Sequence, residues 1–126
     1  MKNLIIVGAG GMGREVFSWL SQEIRNKKDY KIKGFIDDDP SALNNYNYPV
    51  SIIGNIKDYQ PNSGEILAVS ILEPKTRKKI VEALLKKSSL FYTFIHPSVI
   101  IGTNVQIGQG SIICPNCILS NDIVIH

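Results

Sequence analysis

Apolar positions change their spacing several times along the chain. Leu4-Ile5-Ile6-Val7 closes a short run over 2–7 that stops at Gly8, the pattern of a parallel strand buried on both faces. Over 11–25 the period lengthens. Val16, Leu20 and Ile24 recur every four residues, with Phe17 and Trp19 beside them, which predicts a helix with one apolar face. Residues 30–36 alternate again, with Tyr30, Ile32, Gly34 and Ile36 on one side and Lys31, Lys33 and Phe35 on the other. This is a strand, ended by Asp37-Asp38-Asp39-Pro40. The Asn-, Tyr- and Pro-rich stretch 40–49 reads as irregular loop, 50–53 as a short extended piece and 58–64 as a second loop.

A further buried strand is predicted over 66–71. Pro74 then opens a helix, where its missing N–H costs nothing. That helix reaches about residue 87, with Ile80, Ala83 and Leu84 turned inward. A last strand is predicted over 90–95. Strands that alternate with helices indicate an α/β domain, a Rossmann-like parallel sheet with flanking helices.

After residue 95 helical periodicity disappears. The chain divides into hexads, IHPSVI (95–100), IGTNVQ (101–106), IGQGSI (107–112), ICPNCI (113–118) and LSNDIV (119–124), before Ile125 and His126. Each hexad begins with Ile or Leu, and its fifth place holds Val99, Val105, Ser111, Cys117 or Ile123. Such repetition marks a left-handed parallel β-helix. The first residue of each hexad fills the interior of a triangular coil, the fifth fits a tight inner space, and glycine or polar residues take the corners. The expected division is a Rossmann-like α/β domain over 1–94 and the first coils of the β-helix over 95–126, incomplete at that point.

Composition excludes more than it selects. The 126 residues are 44% hydrophobic and 20% charged, with a net charge of +3, the balance of an ordinary globular domain. Most lysines and arginines fall in 25–33, 75–79 and 86–87, segments that read as helix faces or ends. No basic stripe is interleaved with aromatics, so a nucleic-acid partner is not expected. No apolar stretch approaches the roughly 20 residues of a membrane span, and the N-terminal run lacks a cleavage site. With only Cys114 and Cys117 and no disulfide framework, a cytoplasmic protein is expected.

Gly8-Ala9-Gly10-Gly11-Met12-Gly13 matches G-x-G-x-x-G in the context the fingerprint requires, after a strand and opening a helix. Glycines there let the backbone approach a phosphate, and the helix N-terminus offers free N–H groups. Asp37 and Asp38 end the second strand, where an acid holds ribose hydroxyls in dinucleotide folds. Cys114-Pro-Asn-Cys117 lies inside the hexad register and not at a helix N-terminus, so core packing is expected rather than redox chemistry. A metal site would need more ligands than His96 and His126 can add. His96, just before Pro97, reads as a junction residue, and neither histidine is assigned to catalysis.

Together these landmarks resemble the N-terminal part of the NeuD/PglD-like sugar acyltransferases, hexapeptide-repeat enzymes of bacterial surface glycan synthesis. The matching segments are Ile6-Val7-Gly8-Ala9-Gly10-Gly11 with Gly13, Phe35-Ile36-Asp37-Asp38, Ala68-Val69-Ser70, Arg77-Lys78-Lys79-Ile80 and Ile95-His96-Pro97-Ser98. They occur in order across the chain. Met12 departs from the histidine of many relatives, and Ser70 from a glycine. The resemblance implies a substrate site lined by Gly8, Ala9, Gly10, Gly11, Gly13, Asp37, Asp38, Val69 and Ser70 for a UDP-amino sugar or an activated sugar of the sialic acid type. It further implies acetyl-CoA as co-substrate, no metal, and a homotrimer where the β-helix is complete. The family's general base, a β-helix histidine, would fall on the order of a dozen residues past His126 and is assigned to no residue here. The alternatives are an NAD-binding oxidoreductase and a non-catalytic nucleotide-binding module. The hexads speak against the former, since a dehydrogenase would continue as sheet and helix.

Overall fold

The computed structural model describes residues 1–125; His126 lies outside them. The first part contains β1 (Lys2–Val7), α1 (Gly11–Glu23), β2 (Tyr30–Ile36), β3 (Ile52–Gly54), β4 (Glu65–Val69), α2 (Pro74–Leu85) and β5 (Leu90–Phe91). Its strands form one sheet in the order β3-β2-β1-β4-β5, every pair parallel. β1 is central, and its alternation divides the core. Leu4 and Ile6 enter the cluster under α1 with Val16 and Leu20, whereas Ile5 and Val7 enter the opposite cluster with Leu84, all fully buried. Each such aliphatic side chain contributes about 1.5–3 kcal/mol over its exposed state. This is why an apolar run with no polar member lies at the middle of the sheet.

Three sequence expectations shift. In β2 the partners jump from Leu4↔Ile32 to Ile5↔Gly34, so Lys33 is an extra residue in a bulge. The bulge reverses the alternation after it. Tyr30 and Ile32 therefore share a cluster with Phe35, while Ile36 faces the other side. Lys33, freed from the ladder, reaches the buried Glu65 carboxylate at 2.5 Å. In α2 the inward stripe is Arg77, Ile80, Val81 and Leu84, and Ala83 is exposed, because the stripe follows 77, 80, 81 and 84 around the helix. Finally, the strand expected over 90–95 is two strands with different partners. β5 pairs with β4, and β6 (Phe94–Ile95) pairs with a strand in the second coil.

β6 is the first of six two-residue strands, followed by β7 (Ile100–Ile101), β8 (Gln106–Ile107), β9 (Ile112–Ile113), β10 (Ile118–Leu119) and β11 (Val124–Ile125). The pairs are Phe94↔Ile112, Ile100↔Ile118 and Gln106↔Val124, all parallel and all eighteen positions apart. Three hexads thus make one turn of a parallel β-helix. Of the first-place residues Ile113 and Leu119 are buried, whereas Ile101, expected in the interior, is exposed. The fourth place carries the corner: Asn104, Gly110, Asn116 and Asp122 have φ of +62°, +85°, +64° and +64°. Gly, Asn and Asp are the residues that enter this left-handed region at least cost. Polar side chains then tie one coil to the next, Asn104 Nδ2 donating to Asp122 Oδ1 at 2.8 Å and Thr103 N to Asn121 Oδ1 at 2.6 Å. Cys114 and Cys117 are free and half-buried, and burial pushes the Cys114 thiol up.

The β6/β9 side of the coil rests on the sheet domain. Phe94 is fully buried, its ring stacked on Trp19 of α1 with centroids 6.1 Å apart, and Ile112 packs on the same cluster. Arg77 of α2 donates through Nη2 to the Gly110 carbonyl at 2.8 Å.

Candidate functional site

From β1 the chain crosses to β2 on one side, whereas β4 adds on the other. In open α/β sheets that reversal leaves a crevice at the C-terminal ends of the strands. Gly8 follows β1 and Ser70 follows β4, fixed by Gly8 N donating to Ile36 O (2.8 Å) and Ser70 N to Val7 O (2.9 Å). The fold itself demands two of the glycines. Gly8 has φ of +100°, and a Cβ there would lie 2.7 Å from Ile71 Cδ1; a Cβ on Gly13 would fall on the Gly8 carbonyl oxygen. Gly10 and Gly11 are different. Gly10 has extended φ and ψ of −77° and −163° that any residue adopts. A Cβ on it would meet nothing within 4 Å, and one on Gly11 would meet only Arg14 Nη2, at 4.0 Å. No side chain caps Gly10, and no acid stands in the first turn of α1. The positive end of the helix and its unpaired N–H groups therefore face open space.

The predicted acids sit beside this loop and are already engaged. Asp37 accepts from Ala9 N through Oδ2 at 2.7 Å and from Asp39 N through Oδ1 at 2.8 Å. Asp38 Oδ1 accepts from Ile56 N at 3.0 Å. Asp37 thus shapes the glycine turn from outside, and Asp38 ties the end of β2 to the segment after β3. Both line a cleft of about 400 Å³ with Pro40, Ile52, Gly54 and Asn55. Ala9 is buried, so its side chain belongs to the core and its N–H to Asp37.

Val69 and Ser70 line a second cleft, of about 260 Å³, on the other side of the loop. Met12, Ile71 and Arg77 share it with Ser111, Ile112, Ile113 and Cys114 of the β-helix. Of the predicted residues, Asp37 and Asp38 line the first cleft and Val69 and Ser70 the second, whereas Gly8, Ala9, Gly10, Gly11 and Gly13 line neither. The Ser70 hydroxyl is buried and directed at the Ala68 carbonyl, 3.4 Å away. Arg14 was not singled out from sequence, and Arg77 only as part of the landmark Arg77-Lys78-Lys79-Ile80, with no site role. The signal for Arg14 was position, since side chains in the first turn of a helix lean back toward its N-terminus. Arg77 could be seen only once the β-helix was placed beside α2.

His96 is a corner residue. Its Nδ1 accepts from Ser98 N at 3.1 Å and meets Ser98 Oγ at 2.8 Å. Among the described residues no three His, Cys, Asp or Glu side chains are grouped to hold a metal ion, and no helix is long and apolar enough to cross a membrane.

A family model described as the PglD N-terminal domain matches residues 3–84. The chain is 28% identical over 117 residues to a UDP-N-acetylbacillosamine N-acetyltransferase of Bacillus subtilis (strain 168), covering 90% of the chain and 51% of that protein. It is 29% identical over 119 residues to a GDP-perosamine N-acetyltransferase of Escherichia coli O157:H7, covering 93% and 53%. The chain thus spans about half the length of the curated relatives it matches. Its fold is similar to the acetyltransferase domain of PglB from Neisseria gonorrhoeae FA1090 in complex with acetyl coenzyme A, with a TM-score of 0.69 at 19% identity, covering 99% of this chain and 62% of that one.

Proposed function

The chain belongs to the NeuD/PglD-like family through its PglD N-terminal domain, and from that premise we propose that it is the substrate-binding part of an acetyl-CoA-dependent acetyltransferase acting on a nucleotide-linked amino sugar. The observation that carries this reading is the contrast within the glycine loop. The fold accounts for Gly8 and Gly13, whereas Gly10 and Gly11 face open space at an uncapped helix N-terminus. A diphosphate is the group that such bare backbone accommodates. The nucleoside then lies toward Asp37 and Asp38, and the sugar toward Ser70 and the β-helix. The names of the relatives support a nucleotide-sugar substrate.

In this reading residues 1–94 hold the nucleotide sugar, with β5 the last strand of their sheet, and residues 95–126 open a hexapeptide-repeat β-helix that associates as a homotrimer. The exposed, stacked Ile100 and Ile118 suit such association. In the reaction the sugar amine attacks the thioester carbonyl carbon of acetyl-CoA. A C–N bond forms, the C–S bond breaks, and the amine proton passes by way of a base to the departing CoA thiolate, which leaves as the thiol. No residue of this chain is assigned as that base or as a contact to CoA. The setting proposed is the cytoplasm, in glycan synthesis.

Titration calorimetry with UDP- and GDP-linked amino sugars, acetyl-CoA and NAD tests the reading. Nucleotide-sugar binding in the micromolar to millimolar range is expected, roughly −8 to −4 kcal/mol. Binding of NAD with no response to any nucleotide sugar would overturn it.

A further inference from the structure

Arg14 is the fourth residue of α1, and its side chain runs back along the glycine turn. Nη1 donates to the Ala9 carbonyl at 3.3 Å, and Nη2 lies 4.0 Å from the point where a Cβ on Gly11 would stand. Arg14 is half-buried, and its Cζ lies over the Tyr46 ring, 3.9 Å from the centroid. The single ion pair among the described residues is Lys33–Glu65, so no carboxylate engages Arg14. Of its five N–H donors, one has a protein acceptor, and that bond is long.

Neither contact explains an arginine at this place by stability alone. A guanidinium stacked on an aromatic face keeps its edges, with their donors, free for an anion. Those edges border the bare backbone of Gly10 and Gly11. Tyr46 belongs to the 40–48 loop, which is pinned to the sheet domain from its other end. Tyr48 meets Phe17 edge-on at 5.3 Å and Phe35 at 6.1 Å. Pro40 of the same loop lines the cleft of Asp37 and Asp38. Arg14 thus joins the glycine turn to Tyr46, on the loop whose Pro40 lines the cleft beside Asp38.

We propose that Arg14 is a phosphate-binding residue of the nucleotide-sugar site, with its guanidinium held ready by the Tyr46 ring. This rests on the nucleotide-sugar reading and adds to it a side-chain charge at the diphosphate. Tyr46 is then a positioning residue: it orients the planar cation so that a bidentate grip on phosphate oxygens costs little ordering on binding.

The test compares ligands that differ only in phosphate. Calorimetry of the whole chain with uridine, UMP and UDP, and with the guanosine series, gives the affinity added by each phosphate. Arg14→Gln is expected to weaken diphosphate binding at least about tenfold, the scale of one charge-assisted hydrogen bond, and to leave the nucleoside unchanged. Arg14→Lys should recover part of the loss. Tyr46→Leu should weaken the diphosphate several-fold, and Tyr46→Phe should match wild type, since the face and not the hydroxyl carries the stacking. Thermal melts check that each variant is folded. Equal UDP affinity in Arg14→Gln and wild type overturns the proposal. So does an equal loss for nucleoside and diphosphate, which would make Arg14 only a brace for the loop. If the wild-type chain binds neither diphosphate, the nucleotide-sugar reading falls first and this one with it.

Discussion

Replacing Gly10 by alanine should separate ligand binding from folding, because nothing in the fold occupies the space a methyl group would take there. A Cβ at residue 10 meets no heavy atom within 4 Å, and φ of −77° with ψ of −163° suits an L residue. Two small terms then oppose each other. Alanine narrows the unfolded ensemble, which stabilises by about 0.4–1 kcal/mol. It is also a poorer helix N-cap than glycine, which costs up to about 1 kcal/mol. The net change should stay within about 0.5 kcal/mol, roughly 2 °C in melting temperature for a chain of this size. Binding should respond far more. A methyl group between the turn and a phosphate removes the close backbone approach, and losing one charge-assisted N–H contact costs about 1.5–3 kcal/mol, tenfold or more in Kd. Gly13→Ala is the contrasting case. Its Cβ would land on the Gly8 carbonyl oxygen, so α1 must withdraw from β1 at about 1–3 kcal/mol or more. Stability and binding should fall together. Differential scanning fluorimetry and UDP-sugar titration on both variants decide the matter. A Gly10→Ala protein that binds as wild type would falsify the placement of the phosphate.

Three further outcomes are expected. Burial raises the pKa of Glu65, but hydrogen bonds from Lys33, Asn62 N and Tyr59 outweigh it and hold the carboxyl below its usual value. Its stabilisation is therefore present above the unfolded-state pKa and lost as pH falls through the folded one, so urea melts should show Glu65→Gln flattening the acid limb below about pH 5. An unchanged acid limb would refute this. Asp37→Ala should destabilise by about 1–3 kcal/mol by orphaning the Ala9 N–H, with Asp37→Asn milder; calorimetric melts that rank the two the other way would count against it. At the corner with φ of +62°, Asn104→Val should cost about 1–2 kcal/mol and Asn104→Gly much less, and equal melting temperatures for the two would sink the corner argument.

How much was legible in the sequence depended on whether a residue's surroundings were local. β1 and α1 could be read because their periods reflect one cluster each, and the hexads because each repeats its neighbour's environment. The bulge at Lys33 could not, since it exists only against β1. Nor could the break between Phe91 and Phe94, where two apolar pairs of similar composition serve different partners. In α2 Ala83 was expected inward with Ile80 and Leu84, but the helix turns that position to solvent. The glycine turn was legible as a motif, but the sequence did not distinguish glycines the fold requires from those it leaves bare. Asp37 was legible as an acid at a strand end, not as one whose oxygens already hold two backbone N–H groups. Arg14 and Tyr46 are brought together by the path of the 40–48 loop, which no periodicity describes.

The docking of Phe94 and Ile112 onto Trp19 and the α1 cluster sets a phase as well as a contact. A coil with an eighteen-residue stride works like an indexed screw. Once two successive threads are seated against a fixed stop, the compass bearing of every other described position in the coil is decided. Arg77, clasping the Gly110 carbonyl from α2, makes the stop tighter. Adding or deleting one residue between Val99 and Ile107 would turn interior isoleucines outward and present corners where strands should stack. Length change is thus cheap only where it bulges out at a corner and returns the chain in step. The sheet domain acts as the zero mark from which the angular addresses of the coil are counted.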